Sequence, residues 1–248
     1  MKYLICSGDS FTDHYWRSTE HPEMDTSWPK WPELLGEKLN MKVINVGLGG
    51  QGNEYIYSTL HDVIESIDDK SEIGLVIAGW SQCYRRDYQT GNYKDHLMRW
   101  HSDAIDKRGN ILGWVKRSLR TFKSFEYMCK YHNIPYIQFQ MIPLFMDHLR
   151  GHCHKKCYDS RYNGIYEEDI QYILKTMLYY EKILDTTKFI GWPGYEDIGG
   201  FALNDKVLGV GTMEEQNAYG FIVSEKDEHP NAAGQVKLAN YIYDSLDT

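Results

Sequence analysis

Short apolar runs alternate with longer stretches of helical periodicity along most of this chain. The apolar runs, each of a length typical of a buried strand, are Tyr3–Cys6, Lys42–Val46, Ile73–Ala78 and Pro135–Met141. The helical stretches are Trp31–Asn40, a segment that begins at Asn53, Leu112–His132, Glu167–Leu184 and Asn231–Leu246. Strands that alternate with helices favour a parallel sheet, because parallel neighbours need a crossover connection. The sequence therefore predicts an α/β protein with a central parallel sheet and helices on both faces.

Two of the helices have features that predict their caps and their buried faces. Asn53 is expected to cap the second helix, whose apolar stripe is formed by Ile56, Leu60, Val63, Ile64 and Ile67. In the last helix, Asn231 can act as the N-cap, and the residues expected to face inward are Val236, Ala239, Ile242 and Leu246.

The segments between these elements predict one domain with irregular additions. We expect insertions near 84–110 and 144–164, and a glycine-rich loop over Trp192–Gly220. The chain has no internal repeat and no break in composition, so residues 1–248 are expected to form a single domain.

Composition and charge exclude several classes of protein. A chain of 248 residues with 42% hydrophobic and 25% charged residues is typical of a stable globular protein. Its formal net charge of −8 argues against nucleic acid or an anionic membrane as the main partner. No apolar run approaches the ~18 residues of a membrane span, and the N-terminal run is too short for a signal peptide. The five cysteines lack framework spacing, so we expect reduced thiols in a cytoplasmic or otherwise non-secreted protein.

A candidate nucleophile follows the first predicted strand. Ser7-Gly8-Asp9-Ser10 is a tight turn after an apolar run, which places Ser10 at the carboxyl end of the sheet. A hydroxyl needs a base to take its proton and a third group to orient that base. His229, just before the last helix, is the candidate base. Asp227 lies two residues earlier in an extended segment, where alternate side chains point the same way, so it is the candidate orienting acid.

Two further turns can supply hydrogen-bond donors to a developing oxyanion. The glycine-rich turn 45–50 follows the second strand and can bring a backbone N–H beside Ser10. The turn 79–82 follows the third strand and can add a side-chain donor.

In this order, the motifs resemble those of the SGNH (GDSL) hydrolases. The resemblance rests on Gly-Asp-Ser after the first strand, Asn-x-Gly-x-x-Gly after the second and Asp-x-His-Pro before the last helix. It implies a flavodoxin-like three-layer α/β/α sandwich, the SGNH hydrolase fold, and ester hydrolysis through an acyl-serine without a cofactor. It further implies that Ser10 is the nucleophile, that His229 is the base, and that the N–H groups of Ser10 and Gly50 form the oxyanion hole.

The chain departs from the family pattern at two places. The third family motif is Gly-x-Asn-Asp, but Ser81 stands where its asparagine is expected. Its shorter side chain is expected to donate one hydroxyl to the oxyanion hole, and Gln82 or Asn53 could substitute for it. The last motif is usually Asp-x-x-His, whereas Lys226 stands three residues before His229 and Asp227 stands two before it. A third motif containing Trp80 and Ser81 is similar to that of some phage-encoded relatives.

Three residues near the candidate site are expected to bind substrate. They are Asp9, which adjoins Ser10, Trp80, which could form a pocket wall, and Asn53. The 20 Tyr and 7 Trp serve mostly in packing, although some of them could form a sugar-stacking cleft.

Two competing site hypotheses have weaker support. The segment 47–52 fits a Gly-x-Gly-x-x-Gly dinucleotide fingerprint, but that fingerprint belongs after a first strand and here it follows the second. The next strand also has no Asp or Glu at its end that could bind a ribose. A zinc site could be formed by His148, His152, Cys153, His154 and Cys157. The run lacks a second pair of ligands at zinc-finger spacing and is surrounded by basic residues, so no metal is expected.

The sequence thus predicts a serine esterase that acts on a small-molecule or carbohydrate ester, with a short acyl group such as acetyl. Two alternatives stay open: a non-catalytic binding or structural module that keeps the fold, and an O-acyltransferase. Neither nucleic acid nor a membrane is expected as a partner, and the oligomeric state is left open.

Overall fold

The computed structural model describes residues 1–92, 97–104, 106, 108–144, 167–195, 198–209 and 220–246. Within these ranges, none of the helices combines the length and the apolar character needed to cross a membrane.

The described chain contains a five-stranded sheet and two small hairpins. The strands are β1 (Tyr3–Ser7), β2 (Lys42–Asn45), β3 (Ile73–Trp80), β4 (Arg86–Asn92), β5 (Leu97–Asp103), β6 (Tyr136–Gln140), β7 (Phe189–Ile190), β8 (Ile222–Ser224) and β9 (Asp227–Pro230). The helices are α1 (Trp31–Leu39), α2 (Asn53–Ser66), α3 (Ile111–Tyr131), α4 (Glu167–Glu181) and α5 (Ala232–Asp244). The sheet has the order β2-β1-β3-β6-β7 with every pair parallel, while β4–β5 and β8–β9 are antiparallel.

Each face of the sheet is covered by its own set of helices. Alternation along β1 puts Ile5 into a core built with α2, α3 and α4, and Leu4 and Cys6 into a second core built with α1 and α5. The parallel strands carry nearly continuous apolar sequence because both of their faces are buried. The predicted three-layer α/β/α architecture is confirmed.

Several local predictions differ from the structure. Val236 is 45% exposed, although it was expected to face inward. The buried stripe of α5 contains Gln235, Leu238, Ala239 and Ile242, and the 3.6-residue period turns position 236 away from it. The segment 192–220 is not only loop, since Asn204–Leu208 forms a short helical stretch.

The first predicted insertion is a hairpin rather than irregular structure. Asp87 on β4 accepts hydrogen bonds from the backbone N–H of Gly52 at 2.7 Å and of Tyr55 at 2.9 Å. Trp100 on β5 packs edge-on against Tyr55, with the ring centroids 5.3 Å apart. The hairpin therefore caps the N-terminus of α2 with a carboxylate. Residues 145–166, which hold most of the second predicted insertion, lie outside the described residues.

Replacing Asp87 with alanine is expected to lower the free energy of unfolding by about 2–3 kcal/mol. The substitution removes a buried carboxylate and leaves two backbone N–H groups at the start of α2 without their acceptor. Chemical denaturation measures the loss. Gln89→Ala, an exposed change on the same strand, is the control, and equal stability of the two variants would contradict the capping role.

Candidate active site

The candidate nucleophile lies in a tight turn at the carboxyl end of β1. The side-chain carboxylate of Asp9 accepts a hydrogen bond from the Phe11 N–H at 3.1 Å. The backbone carbonyl of Asp9 accepts one from the Thr12 N–H at 2.9 Å. Gly8 is required there, because a Cβ on it would lie 2.1 Å from the Thr12 hydroxyl oxygen. The turn holds the half-buried Ser10 at the edge of the sheet.

The candidate base lies on the hairpin that leads into α5. His229 is on β9, and Asn231, directly after that strand, caps α5 by accepting a hydrogen bond from the Gly234 N–H at 3.0 Å, as predicted. The extended backbone of β9 places the side chains of Asp227 and His229 on the same side of the strand.

The structure brings Ser10, His229 and Asp227 into one hydrogen-bonded chain. The Ser10 Oγ is 2.7 Å from His229 Nε2, and His229 Nδ1 is 2.6 Å from Asp227 Oδ1. Both distances allow direct proton transfer or donation. With the carboxylate on Nδ1, the other ring nitrogen is free to accept the Ser10 proton.

A serine that the sequence analysis did not single out completes the environment of Asp227. The Ser18 hydroxyl donates a hydrogen bond to Asp227 Oδ2 and accepts one from the His21 N–H at 2.9 Å. Burial by itself would raise the pKa of Asp227, but the hydrogen bonds from Ser18 and His229 outweigh it and hold that pKa below its ordinary value. Asp227 therefore stays ionised beside the imidazole.

Replacing Ser18 with alanine is expected to lower kcat/KM for an ester about tenfold, equivalent to about 1.4 kcal/mol. Since the Ser18 hydrogen bond lowers the pKa of Asp227, its loss raises that pKa, and protonation starts at higher pH. The pH at which Asp227 becomes protonated should therefore be higher in the variant, as measured by NMR titration of the Asp227 carboxyl carbon. Thr19→Ala, an exposed neighbour, is the control. An unchanged Asp227 titration together with an unchanged kcat/KM would contradict a positioning role for Ser18.

Two aromatic rings pack against the candidate base. The Trp16 ring stacks on the His229 imidazole at a centroid distance of 4.5 Å, and the Phe11 ring lies 4.9 Å away. Such contacts restrict the rotation of the imidazole while its edge faces Ser10. The sequence analysis missed Trp16, because it lies in a loop without periodicity.

The glycine-rich turn that contains Gly50 lies beside the nucleophile candidate Ser10. Residues 48–51 form a turn with Gly50 at its third position, where its φ of +78° suits glycine. The Gly49 N–H donates to Asp13 Oδ2 at 2.9 Å, and a Cβ on Gly49 would lie 3.7 Å from the Ser10 Cβ. Among the residues described, the N–H groups of Ser10 and Gly50 have no hydrogen-bond acceptor. Both remain available to a substrate oxygen.

Trp80 does not form a pocket wall. Its side chain is fully buried, stacks on Phe122 at 4.6 Å and donates its indole N–H to Gln138 Oε1 at 2.9 Å. The expectation that Trp80 binds substrate is therefore wrong: alternation along β3 turns the indole into the core.

Asn53 and Asp9 are also turned away from substrate. Asn53 is buried; its Oδ1 accepts from the Ser81 N–H at 2.8 Å, and its Nδ2 donates to Ser118 at 3.0 Å. It therefore neither caps α2 nor faces a pocket, and Gly52 occupies the cap position instead. Asp9 is fully buried, and burial raises its pKa despite the opposing charge of Arg85. Its role is to support the Ser10 turn from within.

Comparison with solved structures identifies the fold. Models of known protein families give no match to the sequence, and neither do the curated proteins. Over 99% of both chains, the structure matches a protein from Desulfitobacterium hafniense DCB-2 whose name places it among the lipolytic proteins of the G-D-S-L family, with 16% identity and a TM-score of 0.50. It also matches TesA over 99% of this chain and 98% of that one, with 13% identity and a TM-score of 0.52. This chain has the SGNH (GDSL) hydrolase fold.

Within the SGNH fold, the glycine-rich turn does not act as a dinucleotide cradle. The Gly49 N–H is bonded to Asp13, and the start of α2 is bonded to Asp87, so carboxylates occupy the positions that a pyrophosphate would need. The His- and Cys-rich segment 148–157 lies outside the described residues.

Proposed function

We propose that this chain is a serine ester hydrolase in which Ser10, His229 and Asp227 form a catalytic triad. The observation that carries the proposal is the pair of contacts at 2.7 Å and 2.6 Å that links the three side chains in that order. The SGNH fold supports it, since the nucleophile stands at the carboxyl edge of the sheet.

The reaction follows from these contacts. His229 Nε2 takes the Ser10 proton as the Ser10 oxygen forms a bond to the ester carbonyl carbon. The carbonyl oxygen becomes negative under the N–H groups of Ser10 and Gly50. His229 then gives its proton to the leaving alcohol as the ester C–O bond breaks. A water molecule repeats the sequence on the acyl-serine, releasing the acid and restoring Ser10.

The substrate we propose is a short-chain ester, such as an acetyl ester, on a carbohydrate or similar polar molecule. Tyr15 supports this choice: it is 85% exposed, and its N–H donates to Asp13, the residue that holds the oxyanion turn. An exposed aromatic ring at the rim of a site is suited to stacking on a sugar.

Labelling with a fluorophosphonate tests the proposal. The reagent should modify Ser10 and no other serine, as read by mass spectrometry of the digested protein, and Ser10→Ala should lose both labelling and hydrolysis of 4-nitrophenyl acetate. Hydrolysis that is indifferent to Ser10→Ala would overturn the proposal. An added alcohol acceptor that yields a new ester in place of acetate would instead indicate acyl transfer.

A further inference from the structure

The oxyanion site lacks the side-chain donor that the third SGNH motif is expected to supply. Ser81 occupies that place, but its side chain is fully buried and does not face a substrate oxygen. Asn53 has both ends of its amide engaged, by Ser81 and Ser118. Neither side chain has a donor directed to a substrate oxygen, so a different group is needed.

The guanidinium of Arg85 lies between the two loops that carry the backbone donors. Its Nη1 donates to the Gln51 carbonyl at 2.8 Å and lies 3.9 Å from Asp9 Oδ2, and its Nε donates to Gln82 Oε1 at 3.1 Å. Asp9 directly precedes Ser10, and Gln51 directly follows Gly50. Arg85 thus contacts the chain on both sides of the oxyanion site.

One nitrogen of this guanidinium, Nη2, has no hydrogen-bond acceptor among the described residues. Arginine has five N–H donors, and the hydrogen bonds of Arg85 engage its Nε and Nη1, with none from Nη2. The surroundings are polar and incompletely paired, since Asp9 Oδ2, Ser81 Oγ and Gln51 Oε1 are all buried without a hydrogen bond to any described residue. The Arg85 side chain is 16% exposed, so it is not sealed into the core.

We propose that Arg85 replaces the missing asparagine as the third oxyanion donor of this site. The inference rests on the proposed esterase function. A guanidinium keeps its charge throughout the working pH range, and a charged N–H stabilises an oxyanion more strongly than a neutral amide does. Its bonds to Gln51 and Gln82 orient the fork before substrate arrives, which is what electrostatic catalysis requires.

The test compares Arg85→Met with Arg86→Met on 4-nitrophenyl acetate. Arg86 is the next residue on the chain, but its partner is Asp106, at 3.5 Å. We expect R85M to lower kcat about 10²-fold with KM changed by less than about threefold, because the donor acts on the transition state. R86M should keep both constants. Circular dichroism checks folding, and if R85M does not fold, R85Q is measured with the same expected result.

A double variant separates an oxyanion role from charge neutralisation. If Arg85 served only to balance Asp9, Asp9→Asn combined with R85M would restore kcat; we expect the double variant to stay about 10²-fold slow. Recovery of kcat in the double variant, or a rise in KM at unchanged kcat in R85M, would each overturn the inference. Fluorophosphonate labelling distinguishes failure of the esterase proposal from failure of the Arg85 role alone. If fluorophosphonate does not modify Ser10, the esterase proposal fails as well; if it does and R85M is labelled as fast as wild type, only the role of Arg85 fails.

Discussion

Replacing His229 with alanine will lower kcat/KM for 4-nitrophenyl acetate by roughly 10⁴-fold or more. The Ser10 hydroxyl is 2.7 Å from His229 Nε2, and no other described side chain is bonded to it. Without that acceptor the hydroxyl stays protonated near neutral pH and attacks the ester poorly. Steady-state kinetics, together with the rate of fluorophosphonate labelling, measures the loss.

His61→Ala provides the matched control for this variant. His61 is an exposed histidine on α2 that pairs with Asp62, so its removal should leave kcat/KM within about threefold of wild type. Labelling of Ser10 in His229→Ala at the wild-type rate would show that another group activates the nucleophile. The geometry described above would then not be the catalytic one.

Replacing Asp227 with asparagine is expected to reduce kcat by about 10³–10⁴-fold while the fold is retained. The amide keeps the size of the carboxylate but has no charge to stabilise the imidazolium that forms when His229 takes the proton. It can also present an N–H to His229 Nδ1, which favours the wrong tautomer. Ser18, which donates to Oδ2 in the wild type, keeps an acceptor only if the amide oxygen turns toward it.

Glu228→Gln is the control for Asp227→Asn. Glu228 lies between Asp227 and His229 on β9 but is exposed on the opposite side of the strand. The Glu228→Gln variant should have a kcat within about threefold of the wild-type value. Equal losses in the two variants would indicate a general effect of negative charge on this hairpin rather than a specific contact to the imidazole.

Sequence reasoning predicted most of the fold because each layer has its own periodicity. Strands buried on both faces, such as β3, are continuously apolar, and α2 has a stripe at helical spacing. The errors lie where a choice between helix faces depends on packing, as at Val236, and where polar side chains hold a segment, as in the β4–β5 hairpin. The pattern of hydrophobic residues contains no information on a contact such as that of Asp87 with the start of α2.

The candidate site was likewise predicted in part, with some of its residues found from the sequence and others missed. Ser10, Asp227 and His229 could be predicted because they lie in motifs at the ends of strands and before a helix, and the structure brings them together. Ser18, Trp16 and Arg85 could not, since they lie in loops or a hairpin where neither spacing nor composition marks them. Trp80 and Asn53 were misplaced because position in a motif does not reveal the direction of a side chain.

The sequence by itself determined the alternation of the main strands with helices and the chain positions of a candidate nucleophile and a candidate base, because period and turn chemistry are local properties. The tertiary structure alone decided which side chains meet: that Ser18 donates to Asp227, that Ser81 and Asn53 face inward, and that Arg85 contacts both the Ser10 turn and the glycine-rich turn. Those contacts depend on how distant segments pack, and a contact between residues far apart in the chain leaves no mark on the periodicity of either.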